Sequence, residues 1–225
     1  MRPAAADPAP MQQHHVRIAR TARYWVAGEE SDVRDLWIVC HGYAQLAERF
    51  LTGFRAVIEP GRRIAAPEAL NRYYTDGTIG PHGPHAPVGA TWMTREDRLV
   101  EIDDYVAWLD ILHDTLRPAP AARVLVLGFS QGGATVSRWA SRTTRRIDHL
   151  VLWGSPLAPD LTPRGDLFGR ARLSIVFGDS DALATDDRVS AELRRYTEGG
   201  LAHELIRFAG GHRLDDAVLR RLADA

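Results

Sequence analysis

The sequence contains no lysine, since all 28 of its basic residues are arginine. This absence excludes Schiff-base chemistry on a lysine and the lysine of a phosphate-binding loop. Cysteine is nearly absent as well, because Cys40 is the only one among 225 residues. A lone cysteine cannot form an internal disulfide, so nothing indicates an oxidising compartment. Cys40 ends an apolar run, where a small buried hydrophobic residue is expected rather than a reactive thiol.

Long hydrophobic runs and an excess of one charge are also missing. No apolar stretch approaches the length that spans a bilayer. The formal net charge is -1, with both signs mixed along the chain, which gives no electrostatic footprint for nucleic acid or an anionic membrane. Residues 1–15 carry prolines and polar side chains without the apolar segment of a signal peptide, and are expected to form a flexible tail. We therefore expect a soluble, cytoplasmic protein whose partners are small molecules.

The apolar residues are distributed as in an α/β protein. Short apolar runs alternate with segments of helical period, as expected when parallel strands are joined by crossover helices. Most runs lack polar alternation, which predicts strands covered on both faces. The length suits one domain over residues 16–225. The predicted strands are Ala22 to Val26, Leu36 to Cys40, Arg63 to Ala66, Arg123 to Phe129, His149 to Trp153, Leu173 to Phe177 and Glu204 to Phe208. Further helices are predicted over Ala47 to Ile58, Gly132 to Thr143, Asp186 to Tyr196 and Asp215 to Ala223.

The clearest helix begins near Arg95, with Thr94 as its cap, and is ended by Pro118 and Pro120. Residues at spacings of three and four give it one apolar stripe, formed by Leu99, Ile102, Val106, Leu109, Leu112 and Leu116. The stretch from Asn71 to Ala90 is rich in glycine and proline, which predicts a loop. A loop of this length inside a compact domain is usually functional or disordered.

A candidate nucleophile lies in the segment Gly128-Phe-Ser-Gln-Gly-Gly133, which matches the pattern G-x-S-x-G. It follows an apolar run and precedes a helix-compatible segment, so it predicts a strained strand-to-helix turn that exposes Ser130. The glycines on either side allow close backbone packing, and the helix amino terminus offers free amides to an oxyanion. The alternative is a glycine-rich turn with an inert serine, which this context disfavours.

Such a serine requires a base and an acid. Where the serine lies in a G-x-S-x-G turn, the acid and then the base follow it along the chain, each just beyond the carboxyl end of a strand. Of the nine histidines, only His212 follows a late strand, after two glycines. The acid is expected after the strand that ends at Phe177, where Asp179 and Asp181 compete. Either carboxylate could accept the imidazole hydrogen bond, and spacing alone leaves both open.

These motifs resemble the α/β-hydrolases, and within them the phospholipase/carboxylesterase branch that includes acyl-protein thioesterases. The matching segments run through most of the chain: His41-Gly42-Tyr43, Ala66-Pro67-Glu68, Trp92, Gly128 to Gly133, Gly178-Asp179-Ser180-Asp181 and Gly211-His212. The resemblance implies a mostly parallel sheet with helices on both faces and no large cap domain. It also implies that the acid is Asp181, with Asp179 as the second candidate.

The resemblance further assigns the oxyanion hole to the backbone amides of Tyr43 and Gln131, with little role for their side chains. His41 is expected to order its loop by hydrogen bonding. The chain departs from the family at Ala44, where glycine is frequent, and at Ala184-Thr185, where valine-proline is frequent.

The sequence therefore predicts a serine hydrolase that cleaves carboxylic esters of small or soluble acyl groups and needs no metal or cofactor. Side chains near the expected edge of the sheet could line an acyl pocket or belong to the core: Tyr74, Trp92, Met93, Trp153 and Leu183. The alternatives are an acyl thioesterase or lysophospholipase, which differs in the leaving group, and a pseudoenzyme that binds a ligand or a protein.

Overall fold

The protein is described by a computed structural model over residues 11–77, 80–116 and 119–225. Its strands are β1 Tyr24–Gly28, β2 Asp35–Cys40, β3 Arg62–Pro67, β4 Asn71–Tyr74, β5 Val88–Thr91, β6 Arg123–Phe129, β7 His149–Trp153, β8 Arg172–Gly178 and β9 Glu204–Phe208. Seven of them form one sheet in the order β1-β3-β2-β6-β7-β8-β9. Within this sheet of the described residues, only β1 runs antiparallel to its neighbour, so the predicted α/β class with a mostly parallel sheet is confirmed.

Helices cover both faces of this sheet. They are α1 Ala47–Leu51 with a 3₁₀ helix at Thr52–Val57, α2 Arg98–Leu116, α3 Gln131–Arg142, α4 Asp186–Glu198 and α5 Asp216–Ala223. In β2, Ile38 packs into the core shared with α2, α3 and α4, whereas Trp37 and Val39 pack into the core shared with α1 and α5. The strand therefore reads as an unbroken apolar run because each face meets its own layer.

The parallel register brings the carboxyl ends of the strands to one edge of the sheet. Cys40 of β2 pairs with Gly128 of β6, and Trp153 of β7 pairs with Phe129. On the other side, Gly178 of β8 pairs with Phe208 of β9. The segments that follow these strands meet at this edge. We call it the catalytic edge because the predicted nucleophile, acid and base all follow these strands. The part of the chain that the structure describes includes no cap domain over it.

Three local predictions were wrong. The stretch from Asn71 to Ala90 is not all loop, because its two ends pair as the antiparallel hairpin β4–β5. Leu99 is 62% exposed, and the buried face of α2 includes Tyr105 instead. The predicted helix from Ala47 to Ile58 changes to 3₁₀ geometry at Thr52. Each difference comes from tertiary pairing or packing that local pattern does not record.

Parts of the predicted chain ends and loops lie outside the described residues. This applies to residues 1–10 of the expected flexible tail and to Pro118, one of the two prolines expected to end α2. Residues 11–15 are exposed and without regular secondary structure. Of the helices in the described ranges, none has the length and apolar character needed to cross a membrane.

The edge of the sheet opposite the catalytic edge holds a chain of polar side chains, of which His149 and Ser174 are buried. The His149 Nε2 lies 2.8 Å from the Ser174 hydroxyl, which donates to Glu204 at 3.3 Å. Arg172 lies 3.4 Å from both ring nitrogens. Burial, together with the positive charges of Arg172 and Arg123, lowers the pKa of His149 to about 4, although Glu204 and Asp35 oppose the shift. The imidazole is therefore neutral in the folded protein near pH 7.

This lowered pKa predicts a loss of stability in mild acid. Unfolding exposes His149 and returns its pKa to about 6.5. Between about pH 6.5 and pH 4 the imidazole is therefore protonated in the unfolded chain and neutral in the folded chain. The contribution of His149 to the free energy of unfolding is complete above pH 6.5 and is lost as the pH falls towards 4, by up to about 3 kcal/mol.

Urea denaturation of the native chain and of His149→Gln between pH 7 and 4.5 measures this contribution. The variant should lose less free energy of unfolding than the native chain over that interval, whereas His85→Gln, at an exposed position, should follow the native chain. Parallel curves for the native chain and His149→Gln would contradict the assignment.

Candidate active site

The turn between β6 and α3 holds Ser130 in a strained backbone conformation. Its φ of 53° lies in the left-handed region that non-glycine residues rarely adopt, and its amide donates to the carbonyl of Trp153 at 2.8 Å. A Cβ at Gly128 would lie 2.2 Å from the Gly132 oxygen, and one at Gly132 would lie 2.2 Å from the Cys40 oxygen. Only glycine fits at these two positions, which explains the spacing of the motif.

The segment after β2, residues 41–45, lies beside this turn. A Cβ at Gly42 would be 3.2 Å from the Cβ of Ser130, so the two backbones are in close contact. Gly42 donates its amide to the Gln45 side chain at 2.7 Å. Ala44 adopts a φ of 62°, so alanine here takes the left-handed conformation that glycine adopts without strain. Tyr43 therefore sits on a tightly folded loop next to Ser130.

His41 orders this loop through hydrogen bonds of its side chain and its carbonyl. The amide of Ala69 donates to its Nε2 at 3.1 Å, so Nδ1 carries the proton and donates to the Gly42 carbonyl at 2.7 Å. The Trp92 indole donates to the His41 carbonyl at 2.8 Å. His41 is fully buried, and this burial lowers its pKa and favours the neutral ring. These bonds are of the kind expected for an ordering role.

Asp181 and His212 meet at the catalytic edge, on loops that follow β8 and β9. The His212 Nδ1 lies 2.7 Å from the Asp181 Oδ2, and the Asp181 side chain is 1% exposed. The other oxygen of Asp181 accepts the Leu183 amide at 2.9 Å. With both oxygens bonded, the carboxylate is fixed in orientation and can hold one ring tautomer of His212.

The imidazole of His212 is packed against the strand ends that carry the serine turn. Its ring lies 4.8 Å from that of Phe129, the residue before Ser130. A Cβ at Gly154 would lie 2.8 Å from the His212 Cε1, so the ring rests directly on that glycine. The His212 Nε2 is buried and has no hydrogen-bond partner within the described ranges. This nitrogen is therefore free to accept a proton.

Asp179, the competing acid, is engaged elsewhere. Its carboxylate pairs with Arg207 at 2.7 Å and is 52% exposed. The backbone of the same loop is joined to the segment before His212, because Ser180 donates to the carbonyl of Gly210 at 2.8 Å. Of the two aspartates that spacing left open, Asp181 contacts the histidine.

A model of the alpha/beta hydrolase fold family matches residues 38–211, which include both the serine turn and Asp181. The chain belongs to the α/β-hydrolase fold family. Among curated proteins, none matches the sequence of this α/β-hydrolase significantly.

Solved structures of this fold resemble the present α/β-hydrolase over nearly its whole length. Acyl-protein thioesterase 2 of Zea mays is 14% identical, with a TM-score of 0.66 over 91% of this chain and 99% of that one. A carboxylesterase of Mesorhizobium loti is 15% identical, with a TM-score of 0.68 over 90% and 93%. A phospholipase/carboxylesterase of Dyadobacter fermentans is 13% identical, with a TM-score of 0.61 over 94% and 99%. At these identities the likeness is one of fold.

The side chain of Gln131 has a role in this α/β-hydrolase that the sequence did not indicate. Its Nε2 donates to the Met93 carbonyl and to the Thr91 hydroxyl, both at 2.9 Å, and its Oε1 accepts the Trp92 amide at 3.1 Å. The same segment pairs with the loop beside Ser130 through Ala90. Gln131 thus binds a segment about 40 residues away in sequence, and through that segment links the serine turn to the loop, a contact that no local pattern reports.

The side chains expected to line an acyl pocket fall into two groups. Trp92 and Trp153 are each 1% exposed, and their indoles donate to backbone carbonyls, so burial supports their alternative role in the core. Tyr74 is 48% exposed and stacks on His82 at 3.7 Å. Met93 is half-buried, and Leu183 is 64% exposed at the mouth of a cavity.

This cavity has a volume of about 500 Å³ and begins beside His212, since Gly154 forms part of its wall. The remaining walls come from the ends of β7 and β8, the segment after Asp181, and one face of α4. They consist of Pro156, Phe177, Leu183, Ala184, Arg188, Val189, Ala191, Glu192 and Arg195. Sequence reasoning identified only Leu183 among them, because a surface helix gives no sign of which face borders a cavity.

Replacing Gln131 by leucine should destabilise the site without removing its backbone amide. The Trp92 amide loses its partner and the Met93 carbonyl keeps only the Thr91 hydroxyl as a donor, which should lower the free energy of unfolding by about 2 kcal/mol. Urea denaturation measures the change. The same substitution at the exposed Gln12 is the matched control and should leave stability unaltered. Equal stabilities for Gln131→Leu and the native chain would show that the link between the two segments contributes nothing.

Proposed function

We propose that this chain is a serine hydrolase that cleaves carboxylic esters of small or soluble acyl groups through an acyl-enzyme. Ser130 is the nucleophile, His212 the general base and acid, and Asp181 the carboxylate that orients the imidazole. Family membership favours a hydrolase, but the fold hosts many activities, so the assignment rests on the site.

The observation that carries the proposal is the contact between the half-buried His212 and the buried Asp181 beside the serine turn. The 2.7 Å contact holds the proton on Nδ1, which leaves Nε2 as the acceptor. That Nε2 is buried without a partner in the described part of the chain, and its ring packs on the residue that precedes Ser130. Hydrogen bonds between nucleophile and base are often long in a free enzyme and tighten when substrate binds.

The reaction then follows in two steps. As the Ser130 oxygen bonds to the carbonyl carbon, His212 takes the hydroxyl proton and the carbonyl oxygen becomes an oxyanion. When the bond to the leaving alcohol breaks, His212 returns the proton to that alcohol. Water attacks the acyl-enzyme in the same way, giving a carboxylic acid and restoring Ser130. Each step balances with the three side chains and water, so the proposal invokes no metal or cofactor.

The oxyanion is assigned to the backbone amides of Tyr43 and Gln131. Gln131 is the first residue of α3, where amides have no partner within the helix and the helix dipole favours negative charge. Tyr43 follows Gly42, which contacts the Cβ of Ser130. The hydrogen bonds of His41, Gln45 and the Gln131 side chain hold both segments before substrate arrives, as oxyanion stabilisation requires.

An acyl thioesterase or lysophospholipase would use the same side chains and differ in the leaving group. The described elements include no cap over the catalytic edge, which supports small or soluble substrates over long acyl chains held under a lid. Parallel assays on esters, thioesters and lysophospholipids of one acyl length separate these activities. A strong preference for long chains would count against the small substrates proposed here.

Removing the Ser130 hydroxyl should abolish turnover. We expect Ser130→Ala to lower kcat on a short p-nitrophenyl ester by at least about 10³-fold, because no acyl-enzyme can form. A fluorophosphonate probe should label the native chain and not the variant. Ser190→Ala, at an exposed position on α4, should keep both activity and labelling. Substantial hydrolysis by a folded Ser130→Ala protein would refute the nucleophile, and an unlabelled native chain that hydrolyses no ester would favour a pseudoenzyme.

The two aspartates should differ sharply on substitution. Asp181→Asn removes the charge that stabilises the imidazolium and permits the wrong ring tautomer, so kcat should fall on the order of 10³- to 10⁴-fold. Asp179→Asn breaks only an exposed pair with Arg207 and should change kcat less than about threefold. Circular dichroism checks that both variants are folded. Comparable losses for the two variants would argue against Asp181 as the orienting acid.

A further inference from the structure

The cavity beside His212 continues the catalytic edge towards α4. Gly154, which touches the imidazole, and Leu183, whose amide binds Asp181, both belong to its wall. Its volume of about 500 Å³ falls in the range of small-molecule sites. A group bound against Gly154 would therefore lie near the His212 imidazole, the proposed acid for the leaving group.

The walls of the cavity are apolar inside and charged along one side. Phe177 and Val189 are buried, 3% and 4% exposed, and form apolar wall together with Pro156. Arg188 and Glu192 are four residues apart on α4, so they lie on the same face of the helix. This arrangement suits a molecule with an apolar arm and a polar end.

The charged side of the cavity has one cation in excess. The guanidinium of Arg195 binds the Glu192 carboxylate through Nη2 at 2.5 Å and Nε at 3.1 Å, and also donates to the Leu161 carbonyl. Among the described residues that form the wall, Glu192 is the one carboxylate, so this pair neutralises it. Over the ranges that the structure describes, Arg188 has no hydrogen-bond or ion-pair partner. An exposed guanidinium at the mouth of an apolar cavity favours a carboxylate, which it can bind in bidentate fashion.

We propose that the cavity binds one arm of the substrate and that Arg188 selects an arm that ends in a carboxylate. The preferred substrates are thus anionic esters with a short apolar spacer between the ester and the charge. The inference rests on the proposed esterase function for its catalytic readout, and it also predicts binding that does not require catalysis.

The test uses matched pairs of esters that differ only in the terminal charge. One pair carries the charge on the acyl arm: a hexanedioic acid monoester against the hexanoic ester of the same alcohol. A second pair carries it on the alcohol arm: the acetate of 6-hydroxyhexanoic acid against the acetate of hexanol. The pair that shows the larger preference identifies the arm that enters the cavity.

In one of the two series the native chain should show a kcat/KM for the anionic ester about tenfold above that for the neutral ester. Arg188→Gln should reduce that ratio to about one. Arg194→Gln is the matched control, since Arg194 is exposed on the same helix and outside the cavity wall, and it should keep the native ratio. Raising the salt concentration should weaken the native preference.

Binding is measured separately by calorimetry on Ser130→Ala and on Ser130→Ala combined with Arg188→Gln. The single variant should bind the anionic ester more tightly than the neutral one, and the double variant should not discriminate. Native turnover of neutral esters with no preference in either series overturns the inference and leaves the proposed function standing. Absence of all ester turnover overturns the proposed function, and the inference is then decided by binding alone. Equal affinities of Ser130→Ala for the anionic and the neutral ester would overturn the inference about Arg188.

Discussion

The site depends on the close approach of three backbone segments at the catalytic edge. The end of β2, the serine turn and the first turn of α3 meet where Gly128 and Gly132 leave no room for a Cβ. This contact sets the strained conformation of Ser130 and brings Gly42 against it. Strain of this kind persists only where surrounding structure over-determines it. The hydrogen bond from the Ser130 amide to the Trp153 carbonyl, which joins the turn to β7, supplies part of that constraint.

Around this contact, neighbouring loops are bonded to each other rather than left independent. Gln131 holds the segment after β5, and Ala90 of β5 itself pairs with the loop of Ala44 and Gln45. On the far side, Ser180 is bonded to Gly210, so the loops of Asp181 and His212 are joined. Loops usually carry function because a rigid scaffold positions them. Here the loops also position one another, which suits a site that must be formed before substrate binds.

Much of this architecture was predictable, because it depends on patterns that are local in the sequence. Strands such as β6 appear in the sequence as apolar runs because both of their faces are buried. The turn at Ser130 could be predicted because only glycine, which has no Cβ, fits at Gly128 and Gly132. Chain order and sheet edge isolated His212. The choice of Asp181 came from family resemblance, and the 2.7 Å contact to the imidazole agrees with that choice.

What could not be predicted depends on contacts between distant segments. The hairpin of β4 and β5 could not be predicted from the sequence, because its strands are short and flank a glycine- and proline-rich stretch. The hydrogen bonds of the Gln131 side chain and the place of Arg188 in the cavity wall depend on which distant segments lie beside each residue, which periodicity does not encode. Trp92 and Trp153 illustrate the same limit, since an aromatic residue near a site fits the core and a pocket equally well until its exposure is known.

The polar chain at the opposite edge of the sheet has a bearing on how such sites are recognised. His149, Ser174 and Glu204 bring the same three chemical groups within hydrogen-bonding distance as a hydrolytic triad does. Ser174 is fully buried, its backbone is part of regular β8, and an arginine lies against the imidazole. In a hydrolytic triad the imidazole lies between the hydroxyl and the carboxylate, whereas here the Ser174 hydroxyl lies between His149 and Glu204. A search by residue type and proximity alone would nevertheless return this arrangement as a second active site. The order of the contacts, solvent access and backbone strain are the criteria that reject it.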